Sequence, residues 1–214
     1  SETAMYTMFA LWIQGWKDLP MKMYQSCQVW RYEGKATRPF IRGREFFWIE
    51  THDVFATEKE AMNQVKEDMD ITENVIRKMF CLPFVFLKRP EHDKFAGAVN
   101  TFAADSVMPD GKIIQLPSTH MLGQNFSKAF GIKFLDENEK KTYAWQTCYG
   151  PSVWRIFGSL VALHGDDKGL IIPPVISSID AIIVPILFEK DKKEVLEKCE
   201  TVKKSLESNG LKVK

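Results

Sequence analysis

The sequence has almost no net charge, few cysteines and no long uninterrupted apolar run. Its 214 residues carry 29 Lys and Arg against 28 Asp and Glu, which excludes a protein that coats nucleic acid through bulk positive charge. The cysteines Cys27, Cys81, Cys148 and Cys199 form no CxxC pair, so spacing indicates neither a zinc ribbon nor a thioredoxin-type site. We expect reduced thiols and no metal-ligating residues. Prolines and polar residues interrupt the longest apolar stretch, residues 170–187, so we expect no membrane segment.

What remains is the composition of a folded globular chain. Hydrophobic residues make up 45% and charged residues 27%, which suits an ordinary core and excludes disordered, collagen-like and coiled-coil classes. The chain begins without a secretory leader pattern or an initiator Met, so we expect a cytoplasmic location and a fragment of something longer.

Residue periodicity in the first half of the chain predicts helix, hairpin and helix. Apolar spacing predicts a buried helix over residues 3–16, with a stripe formed by Met5, Met8, Phe9 and Trp12. The β-like runs at residues 24–32 and 40–50 predict a hairpin with a long basic loop. A capping box, Thr57 with Glu60, opens an amphipathic helix that we expect to reach Phe80, with a kink near Ile71 and Thr72.

The second half predicts further strands and two helices. Strands are expected in residues 83–88, 99–108, 112–116 and 141–148, followed by an apolar helix over residues 155–164. A linker is expected at Pro173 and Pro174, then a buried strand over residues 181–187 and a helix over residues 191–208 that Gly210 ends. We expect this last βα unit to begin a second domain.

One face of the predicted hairpin collects unusual chemistry. Alternation along the second strand places these side chains on a shared face: Arg42, Arg44, Phe46, Trp48, Glu50 and, just beyond, His52. The same parity on the first strand adds Val29, Arg31 and Glu33. A solvated face with surface ion pairs is one interpretation. However, exposing the aromatic rings of Phe46 and Trp48 to water costs free energy. Arginines beside aromatic rings suit a nucleotide, because guanidinium groups bind phosphates and rings stack on a base.

Six strings of the sequence, in the same order, resemble one enzyme family. Residues 30–53, WRYEGKATRPFIRGREFFWIETHD, are similar to motif 2 of class II aminoacyl-tRNA synthetases, specifically of prolyl-tRNA synthetases of the archaeal and eukaryotic type. The other strings resemble the family's proline-specific loop (SETAMY, 1–6), pocket segment (DKFAGA, 93–98), the stretch before motif 3 (STHMLGQNFSKAF, 118–130), motif 3 (GPSVWRIFGSLVALHGDDKGLIIPP, 150–174) and the opening strand of the anticodon-binding domain (IIVPI, 182–186).

The resemblance implies both architecture and activity. It implies an α+β class II core, an antiparallel sheet flanked by helices, over residues 1–174 with motif 1 missing. Residues 175–214 would then be the linker and the first βα unit of an α/β anticodon-binding domain. The family activates L-proline with ATP to prolyl-adenylate and transfers proline to tRNA(Pro), as a homodimer.

The resemblance also implies a nucleotide-binding set: Arg31, Glu33, Arg42, Phe46, Gln115, Ser118 and Arg155. Arg31 would grip the α-phosphate and the proline carboxylate, and Arg42 the terminal phosphates. Phe46 and Arg155 would cover the two faces of adenine, and Glu33 would accept its amino group. Catalysis would rest on Arg31, Arg42 and Arg155, which align and neutralise the phosphates. Mg²⁺ would bridge phosphate oxygens and be held mainly by ATP.

For the imino acid, the family match implies the set Glu2, Arg31, Trp48, Glu50, His52, Phe95 and His120. These residues supply the carboxylate and aromatic walls that a cationic, apolar ring needs. The loop with Lys35 and Arg38 would approach the acceptor end of the tRNA.

Plainer interpretations of single residues stay open. Trp48 and Phe95 could be core aromatics, Gln115 a surface residue and His120 a structural histidine. Lys35 and Arg38 could also be only a solvated loop.

Two other functions stay open as well. Pro151 and Trp154 stand where the family more often has small or polar residues, which leaves room for a synthetase-like tRNA- or adenylate-binding protein without catalysis. The other alternative is a sister class II enzyme for a different amino acid.

Overall fold

The computed structural model describes residues 1–34 and 36–214 and divides into two compact units, Ser1–Lys168 and Gly169–Lys214. In the described ranges, none of the helices is both long enough and apolar enough to cross a bilayer. All four cysteines are free thiols, as predicted.

A six-stranded antiparallel sheet forms the centre of the first unit. Its six strands are β1 (Met21–Trp30), β2 (Glu45–Phe55), β3 (Val85–Lys88), β4 (Asn100–Val107), β5 (Ile113–Gly123) and β8 (Trp145–Gly150). The shorter strands outside this sheet are β6 (Lys133–Leu135), β7 (Lys141–Tyr143), β9 (Gly165–Asp166) and β10 (Gly169–Leu170). The large sheet has the order β1-β2-β8-β5-β4-β3, with each neighbour antiparallel, and β6 pairs with β7 separately. The predicted hairpin is therefore confirmed as β1 and β2.

Four helices of the first unit flank this sheet: α1 (Glu2–Trp12), α2 (Glu58–Thr72), α3 (Asn125–Phe130) and α4 (Val153–His164). A 3₁₀ turn lies at Trp16–Asp18, and a π-helix at Glu73–Met79 continues α2. The helix α5 (Lys192–Ser208) belongs to the second unit. The predicted capping box is present, since the Glu60 amide donates to Thr57 Oγ1 and the Thr57 amide donates to Glu60 Oε2. The predicted irregularity at Ile71 and Thr72 coincides with the passage from α2 into the π-helix.

The predicted stripe of the first helix is wrong in part. The fully buried residues are Tyr6 and Phe9, with Ile13 just beyond the helix, whereas Met8 is 38% and Trp12 47% exposed. The buried side packs on Val54, Leu122, Ile132 and Phe134 in the main core cluster. Apolar residues stand on several sides of this helix, so spacing alone does not single out the face that the sheet covers.

In the second unit, the predicted buried strand over residues 181–187 is wrong. Only Ala181 forms a bridge, parallel to Val213, and Ile182, Val184 and Ile186 are 64%, 76% and 73% exposed. A buried strand needs sheet partners and a covering layer, and this unit contains the two-residue strand β10, the bridge between Ala181 and Val213, and one helix, α5. The predicted helix is confirmed as α5, and Gly210 follows it at φ +84.

Two buried carboxyl groups lie on the sheet face that α2 covers. Asp53 on β2 and Asp68 on α2 are 3% and 2% exposed. Asp68 accepts hydrogen bonds from Thr119 Oγ1 at 2.7 Å and Gln64 Nε2 at 2.9 Å. Burial raises the pKa of Asp53 to about 7, with a further contribution from the charge of Asp68, and burial raises the pKa of Asp68 to about 6.

This pair predicts an unusual pH dependence of stability. Because Asp53 and Asp68 hold protons in the folded protein that the unfolded chain releases above pH ~4, their contribution to the free energy of unfolding should fall as the pH rises from about 4 to about 7. Each carboxyl contributes at most about 1.4 kcal/mol per pH unit. Asp53→Asn should therefore flatten this slope and be more stable than wild type at pH 8, measured by urea unfolding.

The control is Asp70→Asn, which removes an exposed carboxylate from α2, the helix that carries Asp68. If Asp53→Asn shifts stability equally at pH 5 and pH 8, Asp53 is not the titrating group.

Candidate active site

A cleft of about 590 Å³ opens on the other face of the sheet. Its walls come from the start of α1, the loop between β1 and β2, the segment before β4, and strands β2, β5 and β8, with α4 at one side. The structure brings these predicted residues together along its lining: Glu2, Arg31, Glu33, Arg42, Phe46, Trp48, Glu50, Phe95, Gln115, Ser118, His120 and Arg155. Residues from distant parts of the sequence therefore share one site.

Strand parity predicts most of this wall but not all of it, because Arg44 and His52 lie outside the cleft lining. Phe46 and Trp48 line the cleft from the same strand face, with their rings 5.6 Å apart at 77°. Arg42 and Arg44 precede the strand, which begins at Glu45. Arg42 reaches the cleft from a tight turn, whereas Arg44 lies outside the lining and donates from Nε to the Glu33 carbonyl at 3.2 Å. The predicted place of Arg44 on this wall is therefore wrong.

His52 is also placed differently from the prediction. Its ring is 1% exposed and lies behind Glu50, outside the cleft lining. His52 Nε2 is 3.2 Å from Glu50 Oε2, and Nδ1 is 2.9 Å from the hydroxyl oxygen of Tyr6. The predicted substrate contact of His52 is therefore wrong. His52 lies behind the wall of the cleft because the end of β2 runs into the core.

Glu50 is held as a carboxylate inside the wall. Burial opposes its ionisation, but hydrogen bonds from the side chains of His52, Ser1, Trp48 and Gln25 outweigh burial and lower the pKa of Glu50 to about 2. Gln25 stands directly opposite Glu50 in the β1–β2 register and donates to it. These donors fix the carboxylate, and with it the Trp48 side chain.

Gly150 makes room for the Trp48 ring. A Cβ atom built at Gly150 would lie 2.4 Å from Trp48 Cζ2, closer than any real contact. The sequence reasoning singled out neither Gly150 nor Tyr6 as a site residue, although Gly150 opens the motif 3 string and Tyr6 closes the proline-specific string.

Three guanidinium groups converge at one end of the cleft. Arg31 lies over the Phe46 ring, 5.0 Å from its centroid, and Arg42 Nε is 3.0 Å from Glu33 Oε2. Arg155 on α4 donates to the Ile41 carbonyl at 3.2 Å and to the Gln115 carbonyl at 3.1 Å. Burial lowers the pKa of Arg155, and the charges of Arg31 and Arg42 lower it further. Such a cluster favours an anion of high charge.

The other end of the cleft combines rings with a neutral imidazole. Phe95 lies 4.8 Å from the His120 ring, centroid to centroid. His120 Nδ1 is 2.9 Å from Thr101 Oγ1 and Nε2 is 3.1 Å from Ser118 Oγ. Burial lowers the pKa of His120 to about 4, so the ring is neutral at pH 7, and the charge of Glu2 in the same lining opposes the shift only in part.

Of the two residues predicted to contact tRNA, the structure describes Arg38, which lies outside the cleft lining. Lys35 lies outside the described residues. Arg38 is exposed in the turn that its backbone forms with Arg42, through hydrogen bonds of 2.8 and 3.0 Å. The structure therefore places Arg38 where a large partner could reach it.

The antiparallel sheet with an arginine-rich nucleotide-sized cleft defines a class of protein. Residues 1–164 match the family described as tRNA synthetase class II core domain (G, H, P, S and T), and the chain belongs to this family. The whole chain is 55% identical to Proline--tRNA ligase of Thermofilum pendens and 46% identical to that of Methanoregula boonei. It spans about 44% of the length of these curated relatives.

Solved structures give the same result. The chain superposes over its whole length on 44% of prolyl-tRNA synthetase from Cryptosporidium parvum, complexed with halofuginone and AMPPNP, with a TM-score of 0.92 and 38% identity. It superposes equally, at 35% identity, on 44% of the Giardia lamblia enzyme in complex with prolyl-adenylate. These matches confirm the predicted α+β class II fold and the resemblance to prolyl-tRNA synthetases.

Proposed function

We propose that this chain forms the catalytic core of a prolyl-tRNA synthetase, which activates L-proline with ATP and transfers it to tRNA(Pro). The observation that carries the proposal is that one cleft joins two unlike parts: an arginine cluster beside Phe46, and an end where Phe95 lies against neutral His120. The Trp48 ring belongs to the same lining, beside Phe46. The named relatives support the same activity.

Activation needs alignment more than proton transfer. The proline carboxylate is already ionised and attacks the α-phosphorus of ATP, forming the acyl–phosphate bond while the bond to pyrophosphate breaks. No general base is required. Arg31 lies over the Phe46 ring in the arginine cluster and would hold both the carboxylate and the α-phosphate, while Arg42 would neutralise the leaving pyrophosphate.

The adenine would lie between Phe46 and Arg155. Both side chains line the cleft, and a flat ring and a guanidinium plane each stack on a base. Glu33 lines the same end and would accept the adenine amino group while it keeps its pair with Arg42. Gln115 and Ser118 add polar groups from β5.

The imino acid would occupy the ring-lined end. Its cationic nitrogen needs a carboxylate, which Glu2 offers, and its apolar ring needs walls, which Trp48 and Phe95 offer. Neutral His120 limits the positive charge near that cation. Glu50, already saturated with internal donors, would act by fixing Trp48.

The residues of the cleft do not fit a magnesium site held by the protein. The carboxylates in the lining are Glu2, Glu33, Glu50 and Asp93, of which Glu33 pairs with Arg42 and Glu50 with His52. Over the described stretches, no group of three or more His, Cys, Asp or Glu could hold an ion. Magnesium therefore belongs to the substrate, as MgATP.

The remaining assignments concern partners and place. The exposed turn around Arg38, together with Lys35, would meet the acceptor end of the tRNA. Residues 175–214 would begin the anticodon-binding domain, and the intact protein would act as a cytoplasmic homodimer. The likeness to prolyl-tRNA synthetases supports each of these assignments.

The test is ATP–pyrophosphate exchange by the intact protein with each amino acid in turn. Exchange that depends on proline supports the proposal, and charging of tRNA(Pro) with labelled proline completes it. Exchange with a different amino acid would identify a sister enzyme. Binding of ATP without exchange would identify a binding protein that lacks catalysis.

A further inference from the structure

Arg89 lies outside the cleft lining but is bonded to a residue inside it. It directly follows β3, and its side chain is only 16% exposed. Its guanidinium forms a bidentate pair with Asp105, Nη1 to Oδ2 at 2.7 Å and Nη2 to Oδ1 at 2.6 Å. Nη2 also donates to Gln115 Oε1 at 3.1 Å.

The strand register explains why these groups meet. Asp105 on β4 stands directly opposite Gln115 on β5, so the two side chains share the cleft face of the sheet. Arg89 Nε is also 3.6 Å from Asp93, whose side chain belongs to the segment that lines the cleft beside Phe95. One arginine thus ties together β4, β5 and this segment.

This contact determines which end of the Gln115 amide faces the cleft. A guanidinium only donates hydrogen bonds, so it must hold the amide oxygen. The amide nitrogen then points the other way, where Nε2 donates to Ser118 Oγ at 3.3 Å. Its second hydrogen stays available to an acceptor in the cleft, such as a phosphate or base nitrogen of a nucleotide.

A directed chain of hydrogen bonds follows from this orientation. Ser118 Oγ accepts from Gln115, and the remaining partner of that hydroxyl among the described residues is His120 Nε2, at 3.1 Å. The serine proton therefore goes to Nε2, and His120 carries its own proton on Nδ1, toward Thr101 Oγ1 at 2.9 Å.

From this geometry we infer that Arg89 is a positioning residue for nucleotide binding. Clamped by Asp105, it fixes the Gln115 amide so that donors, and not an acceptor, face ATP. This inference rests on the proposed function, because it assigns the ligand of Gln115 as a nucleotide. Arg89 itself touches neither substrate.

The test uses variants of the intact protein that separate orientation from packing. The first variant, Gln115→Glu, keeps a hydrogen-bond partner for Arg89 but presents a carboxylate oxygen where the amide nitrogen donated. The second, the double variant Arg89→Met/Asp105→Leu, removes the whole Arg89–Asp105 pair, so that no buried charge is left unpaired. Each should raise the KM for ATP about tenfold, the effect of losing one hydrogen bond to a charged group. The KM for proline should change less than threefold.

A double-mutant cycle distinguishes orientation from a merely structural role. In a Gln115→Ala background, the Arg89→Met/Asp105→Leu change should have no further effect on the KM for ATP. Arg77→Met is the matched control, since it removes an arginine–carboxylate pair with Glu73 on the π-helix, away from the cleft.

Two outcomes would overturn the inference about Arg89, and a third would overturn the proposed function. Equal losses with and without Gln115 would overturn the inference, as would a Gln115→Glu protein with wild-type KM for ATP. If wild type shows no proline-dependent exchange, the proposed function fails. Equilibrium ATP titration then decides the inference alone, and Gln115→Glu must bind ATP about tenfold more weakly for it to stand.

Discussion

Arg31→Ala is expected to reduce proline-dependent ATP–pyrophosphate exchange by about 10³-fold, as loss of a positive group aimed at a reacting phosphate does in comparable sites. The reason is position: Arg31 lines the cleft over the Phe46 ring, within the cluster of three guanidinium groups. Because Arg31 is exposed, its removal should leave the fold and the unfolding midpoint close to wild type. The measurement is steady-state exchange with circular dichroism on the same samples.

Arg44→Ala is the matched control for this experiment. Arg44 belongs to the same basic loop and carries the same charge, but it lies outside the cleft lining and bonds to the Glu33 carbonyl. Its exchange rate should fall less than threefold. Near-normal exchange by Arg31→Ala, or an equal loss in both variants, would remove Arg31 from the mechanism.

Gly150→Ala is expected to weaken proline selectively. The new Cβ would lie 2.4 Å from Trp48 Cζ2, and Trp48 is also held by Glu50, so the ring must be displaced into the space proposed for proline. Overpacking of this kind costs about 1–3 kcal/mol, which corresponds to a rise in the KM for proline of about 10- to 100-fold. The KM for ATP should change less than threefold, measured by varying each substrate in the exchange assay.

The control is a glycine with open space where a Cβ atom would be added. At Gly15 an added Cβ meets no atom within 4 Å, so Gly15→Ala should leave both KM values unchanged. If Gly150→Ala raised the two KM values equally, the Trp48 wall would not belong to the proline end in particular.

The parity of a strand predicted part of the site and failed at two positions, Arg44 just before β2 and His52 inside it. Phe46, Trp48 and Glu50 share a face because β2 is regular there. Arg44 precedes the strand and is turned away by its bond to Glu33. His52 follows the same parity but is covered by α1, through Tyr6, which no alternation along β2 could reveal.

Long-range partners could not be predicted from local patterns. Arg89 meets Gln115 only because β3, β4 and β5 are neighbours in a given register, and the pairing of Asp105 with Gln115 depends on a bulge after Ala103. Similarly, the space at Gly150 has meaning only once the Trp48 ring is placed beside it. The order of the family motifs indicated the correct fold but not these contacts.

The second unit shows that an apolar segment is not necessarily buried. Residues 181–187 are apolar enough to predict a buried strand, yet Val184 is 76% exposed. Burial depends on which surfaces are available to cover a segment, and the sequence of the segment alone does not contain that information.

The most direct test of the account is a crystal structure of the intact protein with a non-hydrolysable analogue of prolyl-adenylate. The account predicts adenine between Phe46 and Arg155, the phosphate mimic within hydrogen-bond distance of Arg31, and the pyrrolidine ring against Trp48 and Phe95. An analogue bound elsewhere, or bound with its pyrrolidine ring among the arginines, would contradict it.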